Sequence, residues 1–233
     1  MHLWRIIESK GHRDMKQYVA VIGDIRNSKG LHDRGEVQQR LGAVLDEINE
    51  KYSSDIAAKF LITLGDEFQG LLSDISHLLE IIRMIQRHLY PVDVRFGIGI
   101  GEITTAINKE AAIGADGPAY YAARNMIDEL RVQEKKLKNQ APDIMLEVYG
   151  RNDDLKTEQI NGFLRASRVI ENGWSEDQRN TIMDMIDNGG SQSESAERLK
   201  TTQSTVARRL ASGNYITYRD IEEIANRSLG EMI

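Results

Sequence analysis

Asp24 and Asp66 are the first residues whose types and placement suggest chemistry. Asp24 stands where the apolar run Tyr18 to Gly23 stops, and Asp66, with Glu67 beside it, lies between two further apolar runs. Two carboxylates brought to one sheet edge repel unless a cation lies between them, and hard oxygen ligands of this kind suit Mg²⁺ or Mn²⁺ held with a phosphate. The plainer alternative is that Asp24 caps a loop and Asp66 makes a turn. Arg124 follows the helix opening Gly117-Pro118. Its planar, permanently charged fork there could stabilise a phosphoryl-transfer transition state, or simply pair with Asp128 at i,i+4.

A third group is C-terminal, from Ser191 to Leu210. Ala196, Leu199, Val206 and Leu210 supply apolar contacts for two short helices split by Lys200-Thr201-Thr202. Gln203, Ser204, Thr205 and Arg208 then fall on or near the outer side of the second helix, with Arg209 next in line. That arrangement is a helix-turn-helix, whose second helix enters the DNA major groove. Gln reads adenine, Arg reads guanine, and Ser and Thr contact phosphates. Arg198 to Arg209 holds four basic residues and no acid, within a chain of net charge -6. Any DNA contact must therefore be local to this face. The alternative is a helical bundle used for protein contact. Two other features carry no signal: Gly97-Ile98-Gly99-Ile100-Gly101 opens no helix and is no dinucleotide fingerprint, and the five histidines lack metal-ligand spacing.

The elements that must position these residues follow from period. Tyr18 to Gly23 reads as a buried strand. Val37, Leu41, Val44, Leu45, Ile48 and Tyr52 make one face of a helix. Lys59 to Leu64 and Phe68 to Leu72, joined by Gly65-Asp66-Glu67, read as a hairpin. A helix over Leu78 to Leu89, a strand over Val92 to Ile100, a helix over about Ala119 to Lys138 and a strand over Asp143 to Tyr149 complete the set. Gly97, Gly99 and Gly101 share one face of their strand, so a helix or ligand can approach closely there. The expected domain is α+β, a mostly antiparallel, ferredoxin-like sheet with helices on one face, spanning residues 16–150. Residues 1–15 are an N-terminal extension in which Leu3, Trp4, Ile6 and Ile7 could pack on the sheet or meet a partner. Residues 151–174 form a linker helix and 175–233 a small all-α domain.

Hydrophobic 40%, charged 28% and Pro 3 exclude a largely disordered or collagen-like chain. Cys 0 excludes a disulfide framework, a thiol nucleophile and cysteine-ligated metal. No apolar run reaches the roughly 18–20 residues needed to span a bilayer, and the first residues lack the apolar core of a secretory signal. A cytoplasmic location is the expectation.

In order, Val21-Ile22-Gly23-Asp24-Ile25, Thr63-Leu64-Gly65-Asp66-Glu67-Phe68, Arg95-Phe96-Gly97-Ile98-Gly99 and Gly117-Pro118-Ala119-Tyr120-Tyr121-Ala122-Ala123-Arg124 resemble the motif series of class III nucleotidyl cyclase catalytic domains. The hairpin also resembles the diguanylate cyclase signature, with Leu64 in place of its leading glycine. The resemblance implies that Asp24 and Asp66 hold Mg or Mn on a nucleotide and that Arg124 is the catalytic arginine, supplied across a homodimer. Gly65, Glu67, Asp116 and Tyr120 would line the ligand. The family's ribose-orienting asparagine falls on Tyr120, its base-reading lysine on Ile62 and its partner aspartate on Ile113, with Asp116 nearby. The phosphate apparatus is thus matched and the nucleoside apparatus altered. From Met15 onward the chain resembles the SatD family of bacterial proteins, which join such a domain to a terminal helix-turn-helix. Together these features predict a ligand-responsive, homodimeric DNA-binding regulator that takes a nucleotide or phosphate ligand. An active cyclase or other metal-dependent phosphotransfer enzyme, and a protein-interaction scaffold without ligand, are the alternatives.

Overall fold

A computed structural model of the chain describes residues 16–30, 33–151 and 154–232. The expected packing of Leu3, Trp4, Ile6 and Ile7 lies outside them. Strand β1 (Tyr18–Ile25) leads through helix α1 (Arg34–Lys51) to the hairpin β2 (Ile56–Leu64) and β3 (Glu67–Leu72). Helix α2 (Leu78–Leu89), strand β4 (Val94–Gly101), helix α3 (Pro118–Leu137) and strand β5 (Ile144–Val148) follow. The sheet order is β2-β3-β1-β4-β5. β1 runs antiparallel to both β3 and β4, and only β5 is parallel to its neighbour. The first four strands with α1 and α2 make the ferredoxin-like unit the motifs predict, and α3 carries the chain over to β5.

Helices cover both faces of the sheet, which corrects the one-face expectation. Val19, Val21 and Ile25 of β1 face a core shared with α1 and α2, whereas Ala20 and Ile22 face a second core with Ala119, Ala123, Ile127 and Leu130 of α3. A strand apolar at both parities must be covered twice. The glycine stripe of β4 serves this second layer: a Cβ on Gly97 would lie 2.2 Å from the Ala123 carbonyl oxygen, and one on Gly99 2.0 Å from that of Ala119. The stripe is therefore a helix seat. Gly99→Ala should push α3 off the sheet and cost roughly 1–3 kcal/mol. Thermal unfolding would read this as a midpoint lower by roughly 2–12 °C for a chain of this size; an unchanged midpoint would refute the seat.

Both sheet edges are closed by asparagine. The Asn49 amide on α1 accepts from the Phe60 N–H and donates to the Phe60 carbonyl, each at 2.8 Å. Asn161 does the same for Leu146 at the other edge, again at 2.8 Å. Each side chain supplies the two bonds a further strand would make, so the edge is blunted against another chain.

Beyond the sheet come α4 (Leu155–Asn172), α5 (Glu176–Asn188), α6 (Gln192–Arg198), α7 (Gln203–Ser212) and α8 (Tyr215–Gly230). α5, α6 and α7 enclose a small core of Ile182, Ala196, Val206 and Leu210. α8 leaves that unit and returns: Ala225, Leu229 and Met232 are buried in the same cluster as the sheet and as Ile160 and Leu164 of α4. The last helix is thus part of the core of the sheet domain.

Candidate functional site

The pairing of β1 sets the charged end of the sheet. Asp24 stands opposite Glu67 on β3 and opposite Arg95 on β4. All three share the α3 side, because cross-strand partners point the same way. From α3, Arg124, Arg131 and Glu134 come down on that row. The two Nη atoms of Arg124 donate to the two Glu67 carboxylate oxygens at 2.5 and 2.8 Å. Asp24 Oδ2 accepts from Arg95 Nη1 at 2.6 Å and from Arg131 Nη2 at 3.2 Å. Arg95 Nε in turn donates to Glu134 Oε2 at 2.7 Å, and Arg26 Nε lies 3.8 Å from the same oxygen. The result is a lattice in which each of these carboxylates meets at least one guanidinium.

Asp66 also reaches this end. Its backbone oxygen accepts from the Ile25 N–H at 3.0 Å, and its carboxylate accepts from the Ser28 hydroxyl. The two aspartates therefore lie at the same end of the sheet, Asp24 against Arg95 and Arg131 and Asp66 against Ser28. The donor set nevertheless does not fit a divalent cation. Asp24 is buried and its Oδ2 is taken by two arginines, so a metal would have to displace charge-assisted bonds from two guanidinium groups. Among the described residues no group of three or more His, Asp or Glu is gathered to hold a metal ion.

The other ligand candidates are placed structurally. Tyr120 is buried, its hydroxyl 3.5 Å from the Gly70 carbonyl, and burial pushes that hydroxyl's pKa well up. It belongs to the core under α3. Asp116 organises its own loop, accepting from the Gly117 N–H at 2.9 Å and the Tyr121 hydroxyl at 3.0 Å. Gly65 has φ +60, a left-handed turn position that glycine takes without strain. Its carbonyl accepts from the Gln38 amide at 2.6 Å. Arg124 bonds to Glu67 rather than to Asp128.

A second charged cluster, which sequence reasoning missed, joins the sheet domain to the C-terminal helices. Arg83 on α2 donates through Nε and Nη2 to the two oxygens of Glu222 on α8, at 2.9 and 2.6 Å. Its Nη1 is 3.4 Å from Glu171 on α4, and Glu171 Oε1 accepts from the Tyr218 hydroxyl at 2.6 Å. Asp143 beside them is almost wholly buried, and burial raises its carboxyl above the ordinary range against the pull of Arg168. A signal did exist in the sequence. Glu171 continues the stripe Ile160, Leu164, Ser167, and Glu222 falls between Tyr218 and Ala225, so both acids occupy core registers of their helices.

In the C-terminal unit, Ser175 and Ser191 each form a capping box, and Thr202 caps α7 by accepting from the Thr205 N–H. Lys200 takes φ 50 in the turn between α6 and α7, a left-handed position that glycine favours. Gln203, Ser204 and Arg208 are exposed and Thr205 is half-buried. Arg209 turns away to bond Asp177 on α5. Arg198 clasps Asp184 at 2.8 and 2.9 Å, and this hydrogen bonding pulls the Asp184 carboxyl down to about 2. Both are fasteners of the three-helix unit. The Arg208 guanidinium makes no hydrogen bond or ion pair among the described residues.

A family model described as the SatD family matches residues 18–227. A solved structure, that of the guanylyl cyclase Cya2, is similar at 13% identity and a TM-score of 0.33, over 56% of this chain and 74% of that one. Comparison with curated proteins gives no match.

Proposed function

The chain belongs to the SatD family, and from that premise we propose that it is a DNA-binding regulatory protein whose sheet domain senses a small ligand. The observation that carries this reading is the outer side of α7. Arg208 stands there without a partner, one turn on from the exposed Ser204 and with the exposed Gln203 at the start of the helix, while Arg198 and Arg209 are spent on Asp184 and Asp177. A packed core holds α6 and α7 across a four-residue turn, which supports docking of α7 in a major groove. The N-terminus of α7 carries no acid, so its first N–H groups suit a phosphate. A homodimer would then read two half-sites. Sensing by the sheet domain is supported by α8, which runs from α7 into the core of the sheet domain.

The phosphotransfer reading has no comparable support, because Asp24 and Arg124 are tied to Arg95, Arg131 and Glu67. Fluorescence anisotropy with sheared genomic DNA tests the proposal. Binding should weaken linearly on a log–log scale as salt rises from roughly 50 to 200 mM. On a site selected from random DNA, Arg208→Ala should cost roughly 1–3 kcal/mol. Absence of binding at the lowest salt would overturn it.

A further inference from the structure

We propose that the cavity between the sheet end and α4 binds a small ligand through an oxyanion, a phosphate or carboxylate group held by Arg26 and Arg168. This deepens the ligand-sensing half of the function above, on which it rests, and it moves the ligand away from the Asp24–Asp66 edge.

The cavity is about 690 Å³ and is bordered by Arg26, Asp93, Glu134, Lys138 and Arg168. That volume lies in the range of small-molecule sites, which favour positions between domains. The Arg26 and Arg168 side chains are each only 11% exposed. The Nε atom of each is buried and makes no hydrogen bond. Their nearest carboxylate oxygens, on Glu134 and Asp143, stand 3.8 and 3.7 Å away, past hydrogen-bond reach. A buried N–H left unmade on a charged group is costly, and both residues that carry one border this cavity. The carboxylates on the cavity are already matched: Glu134 accepts from Arg95 and Asp93 from Arg168. Lys138 adds a further positive charge at the exposed C-terminal end of α3. An arriving oxyanion therefore meets three cations, Arg26, Lys138 and Arg168, beside two carboxylates that are already paired, and guanidinium is the group whose fork fits phosphate and carboxylate.

The position also explains how occupancy would be felt. Arg168 and the segment Pro91–Asp93 form the wall between this cavity and a second one of about 630 Å³, which is bordered by α5 and α8. Across that second space Arg87 pairs with Asp187 at 3.0 Å, and the Arg179 guanidinium lies 4.8 Å from the Tyr90 ring centre. Arg168 is 3.9 Å from Glu171, the acid that also receives the Tyr218 hydroxyl of α8. A ligand drawing on Arg168 thus acts on the joint between sheet and C-terminal helices.

The test uses the full chain at fixed ionic strength, with inorganic phosphate and acetate as probes and chloride as control. The thermal midpoint and titration heat should show saturable binding of phosphate, acetate or both; the stronger of the two names the ligand's group. Lys138→Glu, a surface change, should weaken it roughly tenfold, and Arg26→Lys, which keeps the charge but loses the Nε donor, should weaken it too. No saturable response to either anion, or equal binding by both variants and the parent, would overturn the site. DNA affinity, measured separately, should shift at least threefold with the bound anion in the parent and not in Lys138→Glu. Anion binding without that shift would overturn the sensing role while leaving DNA binding to stand or fall on its own assay.

Discussion

Arg83→Met should destabilise the protein by roughly 3–5 kcal/mol at neutral pH, the cost of stranding a buried charge by removing its partner. Arg83 is 11% exposed and faces Glu222 and Glu171, whose side chains are 18% and 6% exposed. Burial by itself would raise the Glu222 carboxyl. The Arg83 charge and its two N–H donors override that and hold the carboxyl below its ordinary value. In the parent protein, then, Glu222 contributes stability that is present above its unfolded pKa and lost as pH falls through the lower folded value. Removing Arg83 leaves burial in control and reverses the sign: the variant's Glu222 takes up a proton more readily when folded and gains stability as pH falls. The difference between parent and variant should be largest near pH 7.5 and narrow towards pH 5, as denaturant unfolding at the two values would measure. Arg83→Met combined with Glu222→Leu should recover much of the loss, since apolar replacement of a buried pair is often neutral. A single-variant loss below about 1 kcal/mol, or one that does not change with pH, would mean that α8 is held by its apolar residues alone.

Periodicity made most of the fold legible. The helical stripe of Val37, Leu41, Val44, Leu45 and Ile48 and the glycine-spaced β4 each admit one reading, and the elements formed there. That Asp24 and Asp66 reach the same end of the sheet was legible too, because both stand at strand ends that a hairpin and a crossover bring back there. What neutralises Asp24 was not. Arg95 lies 71 positions away and becomes its neighbour only through the register of β1 on β4, while Arg131 arrives from a helix on the other layer. Charge pairing is a property of register, and register is invisible until the strands are paired. The second helix layer was signalled by Val19, Ala20, Val21 and Ile22, apolar at both parities. The joint between sheet and C-terminal helices was signalled only by two acids interrupting apolar stripes, and an acid at a core position names no partner.

The largest functional effect is expected from Gln203→Ala combined with Arg208→Ala. A binding site selected from random DNA by the parent protein gives the reference affinity. If both side chains reach base edges, each good contact is worth roughly 1–3 kcal/mol, and well-separated contacts add. The double variant should therefore lose roughly 2–6 kcal/mol on the selected site, a factor of roughly 30 to 20,000. Its affinity for unselected DNA should fall far less, because that term comes from phosphates and salt release rather than from base edges. Arg209→Ala provides the contrast. Its guanidinium is bonded to Asp177 on α5, so its loss should loosen the three-helix unit, lowering the unfolding midpoint while leaving sequence preference in place. A double variant that binds the selected site as tightly as the parent, with its helices intact by circular dichroism, would show that α7 does not read DNA.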